Sequence, residues 1–245
     1  MSRPEYLQVN NQDLTARLDL FKVGRVMPAF IRVALDRFYF RFFSPQLQFF
    51  RLLGTGTGQT FTSKDADLHR WVVLTVWQTE AAAISFSKSK IFSRWQKMAN
   101  ETATFFLAPL SSKGEWAKRK PFGEPTPHRW DGPVLSITRA KIKLRMWRKF
   151  QSEVPPVSKS LHLSAGLLTA FGIGEAPVGL QGTVSIWLDN RSLTEFAQRK
   201  QPHREVIAMT HELDWYREEL FARFAITSVA GELNGVALAQ VIPTS

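Results

Sequence analysis

The chain carries one structural unit twice. A β-rich run, Trp71-Val72-Val73-Leu74-Thr75-Val76-Trp77, is followed by a helical pattern over 79–98. A second run, Gly182-Thr183-Val184-Ser185-Ile186-Trp187, is followed by a helical stretch from about Asn190. A shift of 110 residues lays Trp77 on Trp187, Phe86 on Phe196, Lys90 on Lys200 and Arg94 on Arg204. Gly54-Thr55-Gly56 precedes the first unit and Gly172-Ile173-Gly174 the second. Each unit closes with an aromatic strand, Thr104-Phe105-Phe106-Leu107 and Leu220-Phe221-Ala222-Arg223-Phe224, reaching Gly114-Glu115 and Gly231-Glu232. Shared order with small differences in loop length is the signature of duplication, so the fold must be built from two copies of one motif.

Upstream of each glycine pair sits a further strand and helix. In the first half these are Leu18-Asp19-Leu20-Phe21-Lys22-Val23 and 28–42; in the second, Val134-Leu135-Ser136-Ile137-Thr138-Arg139 and roughly 145–167, interrupted at Pro155-Pro156. Each half then reads β-α-β-β-α-β, the split unit called ferredoxin-like. The halves run over 14–117 and 132–235, joined by a linker over 118–131 that is rich in proline and charge. Each four-stranded sheet has a face left to bury. The expected architecture is therefore α+β, with the two sheets packed face to face and helices outside, a dimeric α/β-barrel-like body.

Composition narrows the chemistry. The 245 residues contain no cysteine, which excludes disulfides, zinc–thiolate sites, iron–sulfur clusters and thiolate nucleophiles. The longest stretch without a charge, 160–174, is shorter than the roughly 20 apolar residues a membrane-spanning helix needs. The opening Met1-Ser2-Arg3-Pro4-Glu5 lacks a signal-peptide layout, so the expectation is a soluble cytoplasmic protein. Net charge is +11 and uneven: 1–150 hold 25 basic and 11 acidic side chains, 151–245 hold 7 and 10. Such a basic half suits nucleic acid, an anionic membrane surface, an acidic substrate, or a plain solvated face.

Gly54-Thr55-Gly56-Thr57-Gly58 resembles a dinucleotide loop, but Gln59 takes the place of the third glycine. Its repetition at Gly172-x-Gly174 favours a turn or a tight strand edge. No phosphate loop and no G-x-S-x-G nucleophile elbow occurs. The histidines are His69, His128, His162, His203 and His211. Thr210-His211-Glu212-Leu213-Asp214-Trp215 begins like a zinc helix but has Trp215 where the second histidine belongs. His203 and His211 on one helix would stand roughly 12 Å apart, too far to share a metal. A single histidine suffices for haem, whose iron is held mainly by the porphyrin.

Several longer motifs resemble the spheroidene monooxygenase family, the acyclic carotenoid ketolases. They are Gly172-x-Gly174-Glu175-x-Pro177, Ser185-Ile186-Trp187, Pro202-His203-Arg204-Glu205-Val206-Ile207, Trp215-Tyr216-x-Glu218-Glu219-Leu220-Phe221-Ala222-Arg223-Phe224 and Gly132-Pro133-Val134-x-x-x-Thr138-Arg139-Ala140. The first half adds Leu53-Gly54-Thr55-Gly56-Thr57-Gly58 and Pro109-Leu110-x-x-x-Gly114-x-Trp116. The resemblance spans about 18–233. It implies a haem-dependent monooxygenase on tandem ferredoxin-like halves, with haem b as cofactor and His203, the matched helix histidine, as iron ligand. Implied partners are a lipophilic small molecule (a carotenoid or other isoprenoid), dioxygen and an external electron donor. The basic loop 197–201 and the Phe- and Arg-rich N-terminal helix (Phe38, Phe40, Arg41, Phe42, Phe43) depart from the family pattern. Members of the family occur outside carotenoid pathways, so the resemblance supports the cofactor better than the substrate.

Around that ligand, Phe171, Trp187, Trp215 and Phe224 either wall a cofactor pocket or fill a plain core. Arg139 shares a strand face with Leu135 and Ile137. It either reaches solvent at the strand end or meets a buried anionic or polar group, such as a propionate or iron-bound oxygen, which would make it the catalytic residue. Two other enzyme classes on a similar tandem fold keep haem but act as peroxidases or dehydratases. A non-catalytic reading stays beside them. RNA-recognition modules share the strand order and the basic, aromatic character, but their Lys/Arg-Gly-aromatic fingerprint is absent and no nucleic acid is expected. The basic excess suits peripheral seating on an anionic membrane that holds an apolar substrate.

Overall fold

The structure is a computed structural model, and it describes residues 14–57, 65–126, 128–142, 160–175, 180–199 and 216–242. Alternating apolar positions make β1 (Thr15–Val23), which buries Ala16, Leu18 and Leu20 on one face and Arg17, Asp19 and Phe21 on the other. Then come α1 (Val26–Phe40), β2 (Leu47–Gly56) and β3 (Ala66–Trp77). Pro28 falls in the first turn of α1, where no N–H is required of it. The helix expected over 79–98 is divided. α2 (Glu80–Ser85) is capped by Thr79, and after a 3₁₀ turn α3 (Lys90–Met98) starts afresh where the Ser89 hydroxyl accepts from Phe92 N at 3.1 Å. β4 (Ala99–Gly114) ends the first set of strands.

The second set comprises β5 (Val134–Ile142), β6 (Leu167–Gly174), β7 (Leu180–Trp187), α4 (Asn190–Arg199) and β8 (Tyr216–Leu233). A short β9 (Val236–Ala237) and α5 (Leu238–Val241) follow. The strand order is β4-β1-β3-β2-β6-β7-β5-β8-β9, with β4 also paired to β8. The first block, β4-β1-β3-β2, therefore recurs as β8-β5-β7-β6. The blocks were expected to be two sheets in contact; instead they share both edges. β2–β6 makes one seam and β4–β8 the other, so eight strands close into a ring. Closure leaves the principal strands without an open edge.

Both seams carry the duplication. At the first, Gly54 lies opposite Gly174 and Gly56 opposite Gly172, so the two glycine pairs are strand edges that meet each other. At the second, Gly114 faces Leu220 and Gly231 faces Ala103. These glycines have φ of +93° and +86°, and a Cβ on either would stand 2.1 Å from a backbone oxygen, of Glu219 and Thr102 respectively. Only glycine takes that conformation at that distance.

Inside the ring, Leu18, Leu74 and Phe105 from the first block meet Leu135, Val184, Ile186 and Phe224 from the second in one apolar core. Outside the first block, α1, α2 and α3 cover Phe21, Trp71, Val73 and Trp77 with Val33, Phe40, Phe86, Phe92 and Trp95. Arg17 on that outer face is fully buried, and its Nη1 donates to Ala83 O and Ser87 Oγ at 2.7 Å. Its other nitrogens hold Asp19, which also accepts from Thr104. The Arg17 and Asp19 side chains are thus partnered within the protein, as burial demands.

Candidate cofactor face and barrel mouth

The strand registers let the two halves be compared position by position. Ala16 is opposite Val76 and Leu135 opposite Ile186, and the 110-residue offset aligns Val76 with Ile186. Leu135 therefore stands where Ala16 stands, so Ser136 takes the place of Arg17, Thr138 that of Asp19 and Ala140 that of Phe21. On the flanking strands, Thr183 replaces Val73, Gly172 replaces Leu52, and Ala170 replaces Phe50. Arg223 replaces Phe106, since Phe224 faces Leu135 as Leu107 faces Ala16.

The outer face of the second block has thus lost the bulk that the first block buries under its helices. What remains is a floor of small and hydroxylated side chains, mostly half-buried. α4 covers one end of it: Leu193 and Phe196 pack with Val134, Ala170, Ala225 and Trp187, whose ring lies 5.4 Å from that of Phe196. Among the described residues this face therefore carries less side-chain volume than its counterpart in the first block.

Arg223 rises from this floor. Its Nη1 reaches Asn190 Oδ1 at 3.4 Å and Thr194 Oγ1 at 3.2 Å, and burial pulls its pKa below the ordinary arginine value. Among the described residues no carboxylate pairs with it. A half-buried guanidinium whose described partners are neutral is suited to an anionic group. Hydroxyls and one guanidinium are donors that a group carrying carboxylates would need, and on that chemistry the described part of this face fits such a group.

The residues singled out in the sequence fall on two sides of the sheet. Trp187 faces outward with α4. Phe171 and Phe224 face the interior of the ring, so with Trp187 they do not wall one pocket, because alternation along a strand sends neighbours to opposite faces. His203 and Trp215 lie outside the described residues. Arg139 is 4% exposed and occupies the interior position of Leu20, opposite Gly182. It does not reach solvent, and its buried anionic partner is the Glu218 carboxylate.

That ion pair belongs to a polar cluster at one mouth of the ring. The Trp116 ring lies 5.0 Å from the Arg139 guanidinium and 5.7 Å from that of Arg51. Arg51 Nε donates to Glu175 at 2.9 Å, and Trp116 Nε1 donates to the same carboxylate. Burial pulls the Arg51 pKa down against the opposing charge of Glu175, and the nearby Arg139 adds to the lowering. Burial pushes the Glu218 carboxyl up, but donors at Ala117 N and Lys118 N, both 3.0 Å, and Arg139 outweigh it and hold the carboxyl below the ordinary glutamate value. Trp116, Glu175, Glu218 and Arg223 all stand in the motifs quoted above. Motif membership does not say which face a residue takes, and Arg51 gave no sequence signal at all.

No family model matches the chain. A spheroidene monooxygenase of Cereibacter sphaeroides is 37% identical over 193 residues, covering 78% of this chain and 59% of that protein. The chain thus spans less than two thirds of that relative. A spheroidene monooxygenase of Rhodobacter capsulatus is 36% identical over 197 residues, covering 78% of this chain and 80% of that protein. That of Rubrivivax gelatinosus is 31% identical over 193 residues. Among solved structures, an aldoxime dehydratase crystallised with butyraldoxime superposes with a TM-score of 0.59 at 8% identity, over 89% of this chain and 80% of that one. Another aldoxime dehydratase gives 0.52 at 10% identity, over 92% and 88%. Those likenesses concern the fold. The sequence identity is of another order, and by it the chain belongs to the spheroidene monooxygenase family.

Proposed function

We propose that the protein is a haem-dependent monooxygenase that inserts oxygen into a lipophilic, carotenoid-like substrate, using dioxygen and an external electron donor. The observation that carries the proposal is the outer face of the second block, where Arg17, Phe21, Leu52, Val73 and Phe106 of the first block are exchanged for Ser136, Ala140, Gly172, Thr183 and Arg223. The kinship with spheroidene monooxygenases supports the substrate class. The haem assignment follows the motif resemblance and the fit of this floor.

In this reading residues 14–117 and 132–235 are tandem ferredoxin-like halves joined through 118–131, and the second half holds the haem. His203 would ligate the iron, and Trp187 and Trp215 would line the pocket; His203 and Trp215 lie outside the described residues. Phe171 and Phe224, on the interior, back the same strands from behind. Haem when bound supplies oxygen activation at iron. The chain's own residues do the rest. Ser136, Thr138 and Thr183 offer hydroxyls from the floor, Arg223 neutralises a carboxylate, and α4 closes one end against water. Arg139, through Glu218, holds the far side of β5 rigid. A substrate of this class resides in lipid, so the reading includes access to a membrane surface.

The test is reconstitution with haemin, followed by the absorption spectrum and by carotenoid turnover under isotopically labelled dioxygen. The expected result is a Soret band and labelled product. Gly172→Leu together with Ala140→Phe, which restores the first block's bulk, should abolish the band while leaving the thermal melt cooperative. A wild-type protein that takes up no haem would overturn the cofactor assignment. Haem uptake without labelled product would overturn the oxygenase.

A further inference from the structure

Helix α1 is apolar on two opposite sides. Ala29, Val33, Asp36 and Phe40 face the sheet. Met27, Ile31, Leu35 and Phe38 recur at the same three- and four-residue spacing on the other side, with Phe42 continuing the stripe in the turn just after the helix, and the five are 69%, 56%, 47%, 63% and 77% exposed. A helix apolar all round is normally buried all round, and an exposed apolar stripe of this length marks a docking surface. At its C-terminal end the stripe opens into a cavity of about 650 Å³ between α1 and α3, lined by Phe38, Phe42 and Ile91 with Lys88, Lys90 and Arg94.

The charges around the stripe have one sign. Arg37, Arg41, Lys88, Lys90 and Arg94 are exposed, and none forms an ion pair among the described residues. The single acid of 25–43 is Asp36, which is buried and engaged by Arg32 and by Trp95 Nε1 at 2.9 Å. Residues 81–98 contain no acid. A second copy docked here about a two-fold axis would set like charges against like. A bilayer surface with anionic headgroups supplies both partners at once: acyl chains for the stripe and phosphates for the rim.

We infer that the outer side of α1, with the α1–α3 cavity at its end, seats the protein on an anionic lipid bilayer. The helix, about 22 Å long, lies flat in the interface rather than crossing it. No helix among the described residues is long and apolar enough to span a membrane. The inference extends the proposed function, since it brings the protein to the phase that holds a lipophilic substrate, but its test requires neither haem nor turnover.

The full chain is sedimented with vesicles of phosphatidylcholine alone and of phosphatidylcholine with phosphatidylglycerol. The expected result is binding to the anionic vesicles, weakened by salt. Phe38→Ser with Phe42→Ser should weaken it on the order of tenfold, and Arg37→Glu with Arg41→Glu should do so by a similar factor and remove the salt dependence. Circular dichroism and a thermal melt establish that each variant remains folded. If variants at Phe38 and Phe42 do not fold, the Arg37 and Arg41 pair alone decides. Wild-type protein that stays in the supernatant with both vesicle types, or variants that bind as wild type does, would overturn the inference. So would a dimer in velocity sedimentation that the Phe38 and Phe42 changes dissociate while vesicle binding is absent. Vesicle binding without haem uptake would leave this inference standing and sink the cofactor reading.

Discussion

The Arg139–Glu218 pair allows a sharp test, because its two members are unequally supported. Their side chains are 5% and 14% exposed. Arg139→Leu places on β5 the residue that the duplicated position, Leu20, already carries in the first block, and leaves Glu218 with donors at Ala117 N and Lys118 N, each 3.0 Å away. The remaining carboxylate is thus still hydrogen-bonded, and the cost should be about 1–2 kcal/mol. Glu218→Leu instead strands a buried guanidinium beside Arg51, whose charge repels it, and frees two backbone donors. Breaking a buried pair in this way costs about 3–5 kcal/mol. For a chain of this size about 1 kcal/mol moves the melting midpoint by roughly 2–4 °C. The arginine variant should therefore melt a few degrees below wild type, the glutamate variant roughly 10 °C or more below it, and the double variant close to the arginine variant alone. Thermal melts followed by near-ultraviolet circular dichroism read this order directly. If Arg139→Leu costs as much as Glu218→Leu, the pair is not organised by the backbone of 117–118, and the account of the barrel mouth is wrong. If Arg139→Leu leaves stability nearly intact yet removes turnover of the reconstituted enzyme, the residue acts in catalysis.

Three further outcomes follow from the geometry. Gly231→Ala should cost several kcal/mol, on the order of 2–4, because a Cβ would meet Thr102 O at 2.1 Å on backbone of positive φ, whereas Gly235→Ala, with open space around it, should cost about 1 kcal/mol; urea titrations compare them. Glu218 has a folded pKa below its unfolded value, so its stabilisation is complete above the unfolded value of about 4.5 and is lost as pH falls through the folded one; Glu218→Gln should flatten that part of the melting-midpoint profile. Arg223→Leu should weaken haem retention in spectroscopic titration while leaving the melt of the haem-free chain within a few degrees, since its described partners, Asn190 Oδ1 at 3.4 Å and Thr194 Oγ1 at 3.2 Å, are neutral.

How much of this could be read from the chain depends on which interaction fixes each feature. The 110-residue offset and the alternation of apolar residues placed β1, β3, β5, β7 and β8, because strand periodicity and duplication are written locally. The pattern over 79–98 read as one helix; the Ser89 cap that restarts it as α3 emerged only in the structure. The glycine pairs were legible as strand edges or turns, but not as each other's partners. Pairing between β2 and β6, and between β4 and β8, joins residues more than a hundred positions apart, and no local term records it.

The same division holds for the candidate site. Sequence alone determined the family through its motifs, the duplication, and the basic character of the first half. It also put Leu135, Ile137 and Arg139 on one face of one strand. Only the tertiary structure decided that this face is the interior of a closed ring, so that Arg139 meets Glu218, and that Phe171 and Phe224 look inward while Trp187 looks out. It also revealed the exchange of Phe106 for Arg223 and Leu52 for Gly172, which needs the strand registers before the two halves can be compared. A side chain's face follows from alternation along its own strand. What it meets across that face is set by ring closure, a property of the whole chain.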